Sequence, residues 1–416
     1  MASAVEPARA PGGARAAWSL LRRNRDFRRL YLASVISLGG DWFLIVALFA
    51  LILNLTDSPL AVGGIVAVQD LTYFALSPIA GALADRLDRR LLMVAADLGR
   101  IVLVLGFLFV RSAETVWIAY LLLAGVATLA AAFEPASAAA LPNLVEPEDL
   151  GIANALSGSL WGTMLAIGAT IGGVVTAAFG RDVAIVVDAV SFAASAALIA
   201  GVRRPLTLER VVHTSIREAT LETIRYARRD RRVLALVMVK FGWGLGGGVL
   251  VLIPIVASRF GVGEVAIGLL MAARGVGALI GPFAGRAAVG AGERRIFGVI
   301  GVALAVFGLG YGLLGLAPSI GFAMGAVALA HVGGGAQWTL SSYGLQKIVP
   351  DRIRGRIFAF DGMLVTLTFG VSSLATGWLA ERYGASTTAL AMGAVTMLWA
   401  VGWNWMTTDV RRRPLV

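Results

Sequence analysis

The sequence predicts an all-helical integral membrane protein with twelve transmembrane helices in two six-helix bundles. The first reason is composition: 58% of the 416 residues are hydrophobic and only 15% are charged, which is more apolar than a soluble domain can bury. The second reason is the number of long apolar stretches. The third is a repeat that relates the two halves of the chain.

Twelve stretches are long enough to cross a bilayer, since a transmembrane helix needs about 20 mostly apolar residues. They lack the alternating pattern of a membrane β-strand, so we predict helices. The first stretch follows an Arg-rich arm and contains Asp41, which favours a retained span over a cleaved signal peptide. The predicted spans are 29–53, 60–84, 91–111, 115–142, 150–180, 182–201, 232–256, 263–289, 293–316, 319–348, 354–383 and 385–407.

The distribution of Lys and Arg predicts that both termini are cytoplasmic, because cytoplasmic loops carry the excess of these residues. With the N-terminus inside, most of the 36 basic residues lie in inner loops. The outer loops hold only Arg111, Arg181, Arg259 and Arg382. Most of the net charge of +11 is therefore this inside bias, which attracts membrane lipids, and we expect no nucleic-acid partner.

Redox, metal and ATP-driven chemistry have no signature in the sequence. There is no cysteine, and the two histidines, His213 and His331, are too far apart in the chain to suggest an imidazole metal site. A phosphate-binding G-x-x-x-x-G-K-[ST] loop is also missing. We therefore expect no cofactor, no metal and no enzyme activity.

Short motifs of the first half recur in the second half in nearly one register, which indicates a duplicated six-helix unit. The matching pairs are 61–63 with 266–268, 78–81 with 282–285, 89–90 with 294–295, and Pro147 with Pro350. We predict an N-terminal bundle at 1–201, a basic cytoplasmic linker at 202–231 and a C-terminal bundle at 232–416.

The linker contains a capping-box pattern at Ser215 and Glu218, followed by arginines. This pattern predicts a helix on the inner leaflet, and a solvated linker that only maintains topology explains the charges equally well.

The loop between the second and third spans reads GALADRLDRR at 81–90. Together with the twelve spans, the repeat and the basic linker, this loop makes the chain resemble the major facilitator superfamily of transporters. The superfamily's pattern for the loop between spans 2 and 3 is G-x-x-x-D-R-x-G-R-R/K. The matching residues are Gly81, Asp85, Arg86, Arg89 and Arg90. The resemblance implies a cytoplasmic gate in which Asp85 faces the start of the eleventh span near 354–356. The alternative is that the arginines only set topology.

Two departures from a symmetric gate are visible. Asp88 replaces the second glycine of the superfamily pattern, and Val289 occupies the position of the second half that matches Asp85. The second half therefore cannot supply the same carboxylate.

Three further passages, 27–42, 141–155 and 188–192, resemble the drug and siderophore exporter branch of the superfamily, which includes the enterobactin exporter and macrolide-efflux proteins. The resemblance implies a monomer in the bacterial inner membrane that exports amphipathic small molecules by proton-coupled alternating access. An importer or lipid flippase of the same fold, or a non-transporting membrane sensor, is the alternative.

Residues 168–173 resemble an antiporter signature with Ala169 in place of proline, and helix packing by the glycines explains them equally well.

Ionisable side chains inside spans are the candidate site residues, because an ion at mid-bilayer costs about 2.5–3.5 kcal/mol unless it has a cavity, a partner or a proton. The superfamily places spans 1, 4, 7 and 10 around a central cavity. The resemblance therefore implies that its wall holds Asp41, Glu134, Lys240 and His331. We assign proton exchange to Asp41 and Glu134, since a carboxyl group there can bind a proton on one side and release it on the other. The alternative for Asp41 is a carboxylate buried between helices or held by Ser37 one turn away. For Glu134 it is that Pro135 frees a backbone carbonyl, whose rearrangement alone explains a kink.

Asp70 and Arg274 occupy nearly equivalent repeat positions and are candidates for the same site or for a pair between the halves. For Lys240 the alternative is that its side chain extends to the inner headgroups. We expect Asp97 and Arg100, near the start of the third span, to brace the gate loop. Aromatic candidates for substrate contact are Phe43, Tyr73, Phe74, Phe133, Trp161, Trp243, Trp338 and Tyr343.

Overall fold

Twelve long apolar helices confirm the predicted membrane architecture in this computed structural model. The structure describes residues 13–206, 216–261, 263–290 and 295–411, without the side chains of 13–14, 77–78, 80–82, 84–86, 216–220, 351–352 and 411. Every regular element in these ranges is helical. Spans 1 to 12 are Arg25–Thr56, Pro59–Arg86, Arg89–Gly106, Val116–Leu144, Leu150–Phe179, Arg181–Ala200, Arg231–Gly247 continued by Leu252–Ser258, Glu264–Val289, Ile296–Gly315, Ile320–Ile348, Asp351–Tyr383 and Ala385–Met406.

Capped helix starts and tight turns define the ends of several spans. The Asn24 side chain accepts a hydrogen bond from the Phe27 amide at 2.9 Å at the start of span 1. Asp88 accepts one from the Leu91 amide at 3.0 Å at the start of span 3. The aspartate that departs from the superfamily pattern is therefore a helix cap, a position that aspartate favours. Gly180, with φ 82°, joins spans 5 and 6 in a backbone conformation that suits glycine.

The spans form two groups that pack mainly within themselves, spans 1 to 6 and spans 7 to 12. We call them the first half and the second half. Contacts between the halves are made mainly by span 2 against span 11 and by span 5 against span 8. We call the side on which spans 1, 3, 5, 7, 9 and 11 begin the terminal side, and the opposite side the distal side.

The halves approach each other very closely on the distal side. A Cβ atom at Gly377 of span 11 would lie 2.7 Å from the carbonyl oxygen of Pro59 in span 2. A Cβ atom at Gly173 of span 5 would lie 2.9 Å from the Cα atom of Gly268 in span 8. Small residues let helix backbones touch in this way, so both helix pairs are in backbone contact at their distal ends.

A helix at Ile216–Arg229 confirms the helical part of the predicted linker. It packs on spans 7 and 11 of the second half, and Glu222 accepts a hydrogen bond from Arg356 at 2.7 Å. Ser215, the first residue of the predicted capping box, lies outside the described residues. The position of this helix on a membrane surface stays a prediction.

Candidate functional site

A cavity of about 360 Å³ lies in the terminal-side part of the first half. Its wall is built by spans 1, 2, 3, 4 and 5, and this volume is within the range of small-molecule sites, about 300–1,000 Å³. Charged and aromatic side chains are both present. Those used below are Asp41, Tyr73, Arg100, Phe133, Glu134 and Trp161.

The structure brings Asp41 of span 1 and Glu134 of span 4 to this one cavity. The Tyr73 hydroxyl of span 2 donates a hydrogen bond to Glu134 Oε1 at 3.2 Å. Three different spans therefore meet at the two carboxylates that the sequence assigns to proton exchange. Their role in transport stays a prediction.

Arg100 of span 3 is the basic residue among the described side chains of the cavity wall. Its guanidinium is 2.5 Å from Asp97 Oδ1 and lies over the Phe133 ring at 4.7 Å and the Phe192 ring at 4.4 Å. Asp97 and Arg100 are thus buried beside the cavity, where they do not have the gate-loop position that we expected. Opposite charges at i and i+3 within an apolar span were the signal for this pair.

Asp188 of span 6 is a fully buried carboxyl group behind the same cavity. Its Oδ1 accepts a hydrogen bond from Ser191 Oγ at 3.3 Å, and its charge acts on that of Asp41. A Cβ atom at Gly40 would lie 2.5 Å from Asp188 Oδ1, so glycine allows span 1 to approach. In the sequence, Asp188 is part of the family resemblance only, although an aspartate inside a span is itself a signal of a functional site.

We call Asp41, Asp97, Glu134 and Asp188, with Arg100, the acidic cluster. The charge of Arg100 acts on all four carboxyl groups. One guanidinium cannot neutralise four carboxylates, and unbalanced charge away from water is costly. The cluster therefore has the means to bind protons or a cationic group through the cavity.

Lys240 lies in the second half, away from this cavity. Its ammonium group forms an ion pair with Asp361 of span 11 and donates a hydrogen bond to Ser342 of span 10 at 3.0 Å. It also lies 4.6 Å from the centre of the Trp338 ring. Lys240 is 1% exposed and Asp361 is 3% exposed, so the lysine does not extend to the headgroups but is neutralised inside the second half.

His331 is also buried inside the second half. Its Nε2 atom is 2.7 Å from the Tyr311 hydroxyl, and Phe307 packs edge-on against its ring. It joins spans 9 and 10 and does not line the described cavity.

Arg274 of span 8 reaches across to the first half. Its guanidinium lies 5.1 Å from the Trp161 ring and 5.8 Å from the Trp42 ring, which are cation–π distances. No ion pair within 4.0 Å joins it to Asp70 among the described residues, although the two charges act on each other. The alternative of a direct Asp70–Arg274 ion pair is therefore not seen among the described residues, and Arg274 contacts aromatic rings.

The predicted gate is described only in part, because only the backbone of Gly81, Asp85 and Arg86 is described. Arg89 donates hydrogen bonds to the carbonyl oxygens of Ala139 at 2.9 Å and Leu206 at 3.0 Å. Arg90 donates one to the carbonyl oxygen of Arg204 at 3.0 Å. These arginines therefore bind span 4 and the start of the linker, in addition to any effect on topology.

Known proteins resemble this chain over nearly its whole length. A family model described as transmembrane secretion effector matches residues 15–411. The uncharacterized MFS-type transporter YfiS of Bacillus subtilis (strain 168) is 26% identical over 406 residues, 91% of this chain and 92% of the relative. Macrolide efflux protein A of Streptococcus pyogenes is 24% identical over 397 residues, 90% of this chain and 94% of the relative.

A solved structure is also similar. A bacterial homolog of the human lysosomal transporter Spinster, in an inward-facing and unoccupied conformation, has a TM-score of 0.75 at 15% identity. The match covers 93% of this chain and 97% of that one, and at this identity it shows a shared fold.

Proposed function

Since the chain belongs to the transmembrane secretion effector family of MFS-type membrane transporters, we propose that it exports amphipathic small molecules in exchange for protons. The observation that carries the proposal is the acidic cluster of the first half, of which Asp41, Glu134 and Arg100 line the cavity. The macrolide efflux relative supports the outward direction and a drug as cargo. Siderophores are the other cargo that we propose.

The proposed cycle uses alternating access, in which the two halves rock against each other and the cavity of the first half faces each side of the membrane in turn. On the terminal side, an amphipathic substrate enters, and protons leave Asp41 and Glu134. On the distal side, protons bind the carboxylates again and the substrate leaves. Protons therefore move inward and substrate outward, so the proton gradient drives export.

Aromatic side chains of the wall give the substrate its apolar contacts. Phe133 and Trp161 line the cavity beside Glu134, and ring faces accept flat apolar or cationic groups. Among the eight aromatic candidates, Tyr73 also lies at the wall. Trp338 instead contacts the Lys240 ammonium in the second half.

We propose that the protein works as a monomer in the bacterial inner membrane with both termini in the cytoplasm, as the Lys and Arg distribution predicts. The terminal side is then the cytoplasmic side. The cavity lies in the terminal-side part of the first half, which suits loading from the cytoplasm.

Everted membrane vesicles with an imposed inside-acid pH gradient test this proposal. The probes are radiolabelled erythromycin and the fluorescent cation ethidium. We expect accumulation that collapses with the gradient. Asp41→Asn and Glu134→Gln should each lower the initial rate at least about tenfold, the effect of about 1.4 kcal/mol on the coupled step. Membrane insertion and protein amount should stay unchanged.

Asp182→Asn is the matched control. It removes a carboxylate of the same chain that forms a half-exposed distal-side ion pair with Arg111. It should transport like the unchanged protein. Full gradient-driven rates in both cavity variants would remove the two carboxylates from the mechanism. Uptake of the probes only under an inside-alkaline pH gradient would indicate an importer. Transport of labelled lipid without transport of the probes would indicate a flippase.

A further inference from the structure

Glu381, near the distal end of span 11, contacts the start of span 2 in the other half of the molecule. Its Oε1 atom accepts hydrogen bonds from the Ser58 hydroxyl and, at 3.4 Å, from the Leu60 amide. The contact joins residues far apart in the chain across one of the two main boundaries between the halves.

One backbone amide at the start of span 2 lacks a partner within its own helix and can donate to this carboxylate. Ser58 is the N-cap, and its hydroxyl oxygen accepts from the Ala61 amide at 3.1 Å. Pro59 has no amide hydrogen, and the Val62 amide is bonded to the Ser58 carbonyl oxygen at 3.3 Å. The Leu60 amide remains, and the partner it has is Glu381. A negative charge is also favourable at a helix N-terminus.

Glycines place the carboxylate at this point. A Cβ atom at Gly377, one turn before Glu381, would lie 2.8 Å from the Cα atom of Leu60. A Cβ atom at Gly63 would lie 2.6 Å from the carbonyl oxygen of Ser373. The two helices touch through their backbones here, so any separation of spans 2 and 11 on the distal side breaks the contacts of Glu381.

We propose that Glu381 is a latch that favours closure of the distal side. It is a positioning residue that caps span 2 when the halves are closed there and releases it when they open. The proposal rests on the alternating access of the proposed function. Spans 2 and 11 would then have a carboxylate at each end. Glu381 lies at the distal end, and at the terminal end the predicted gate has Asp85 of span 2 facing the start of span 11.

The latch should bias the closed state and not lock it. Glu381 is exposed, and exposed contacts of a carboxylate with a helix start are weak. A transporter that must open on every cycle needs a contact of this size.

The latch can be tested by pulsed electron–electron double resonance, which measures distances between two spin labels. The protein is placed in lipid nanodiscs with no substrate and no proton gradient. The chain has no cysteine, so two introduced cysteines can carry the nitroxide labels directly. Suitable positions are Glu114→Cys in the first half and Gly321→Cys in the second, both exposed near distal ends of spans. Glu381→Gln should raise the ratio of long to short distances about two- to fivefold.

Glu264→Gln is the matched control. It removes a carboxylate from the start of span 8, at the other contact between the halves on the distal side. It should leave the distance distribution unchanged. Equal shifts in both variants would mean a general effect of surface charge and would overturn the latch.

A charge exchange gives a second, independent test. Ser58→Asp keeps a residue that caps helices but repels Glu381, and Glu381→Lys removes the acceptor, so each alone should open the distal side. The double variant restores attraction and should return to the short distance. Additive opening in the double variant would overturn the proposal. Full gradient-driven transport in Asp41→Asn together with the expected distance change in Glu381→Gln would contradict the proposed function alone. The expected loss of transport in Asp41→Asn together with an unchanged distance distribution in Glu381→Gln would contradict the latch alone.

Discussion

In the first half, four carboxyl groups share one guanidinium beside a cavity, whereas in the second half Lys240 and Asp361 are paired one to one. The second half also holds a buried hydrogen-bonded contact between Tyr311 and His331. Repeat matches in the sequence indicate that the two halves descend from one unit. Their intramembrane polar groups are nevertheless arranged in different ways.

The difference teaches which half is suited to exchange ions. Unbalanced carboxylates beside a cavity can bind and release protons or cations, because the charge state is not fixed by a partner. A buried ion pair holds each charge in place, and opening it exposes a single charge to a medium that cannot solvate it. We therefore propose that coupling belongs to the first half and that the polar groups of the second half serve helix packing.

The largest effect is expected from breaking the ion pair of the second half. Lys240→Met alone, or Asp361→Leu alone, should lower the free energy of unfolding by about 3–5 kcal/mol, because each leaves a buried charge without its partner. The double variant should recover most of this loss, since apolar residues need no partner. Unfolding by titration with sodium dodecyl sulfate in detergent measures all three. If the double variant is as unstable as the worse single one, the pair is not the source of the effect.

A smaller and graded effect is expected at Arg100. Arg100→Met should lower the free energy of unfolding by about 3 kcal/mol, because the carboxylates of the acidic cluster lose their cation. Arg100→Lys keeps the charge but loses the flat contact with Phe133 and Phe192, which should cost about 1–2 kcal/mol. The same titration measures both variants. Equal losses would mean that ring contact, and not charge, accounts for the role of Arg100.

The smallest effects on stability are expected from the same substitution, tyrosine to phenylalanine, made once in each half. Tyr311→Phe leaves buried His331 without its hydroxyl partner and should lower the free energy of unfolding by about 1–3 kcal/mol, with transport unchanged. Tyr73→Phe removes the hydroxyl beside Glu134, which the cavity can hydrate, and should cost less than about 1 kcal/mol but alter transport. Thermal unfolding and vesicle uptake measure the two properties. The reverse pattern would contradict the assignment of coupling to the first half.

The helices could be predicted closely because the bilayer imposes a local rule. Each span must satisfy its own backbone hydrogen bonds, so an apolar stretch of sufficient length is enough to identify a helix. The predicted span at 263–289 agrees with the helix Glu264–Val289, and the predicted span at 385–407 agrees with Ala385–Met406. Helix caps are local as well, although the role of Asp88 as a cap was visible only in the structure.

The site could be predicted less completely, because contacts between spans depend on how each helix is rotated and packed. Asp41 and Glu134 were placed at a cavity wall through a family resemblance, and the structure brings them together. The partner of Lys240 is 121 residues away in sequence, and no local pattern identifies it. Arg274 meets Trp42 and Trp161 for the same reason, across the boundary between the halves.

The sequence by itself determined that this chain is a twelve-span membrane protein of a transporter family, since apolar length, basic loops and the 81–90 motif are properties of short segments. Tertiary structure alone decided which intramembrane charges share a cavity and which are neutralised in pairs. It also decided that Glu381 caps a helix of the other half. The physical reason is that the energy of a charge in a membrane depends on its neighbours in space, and folding chooses those neighbours.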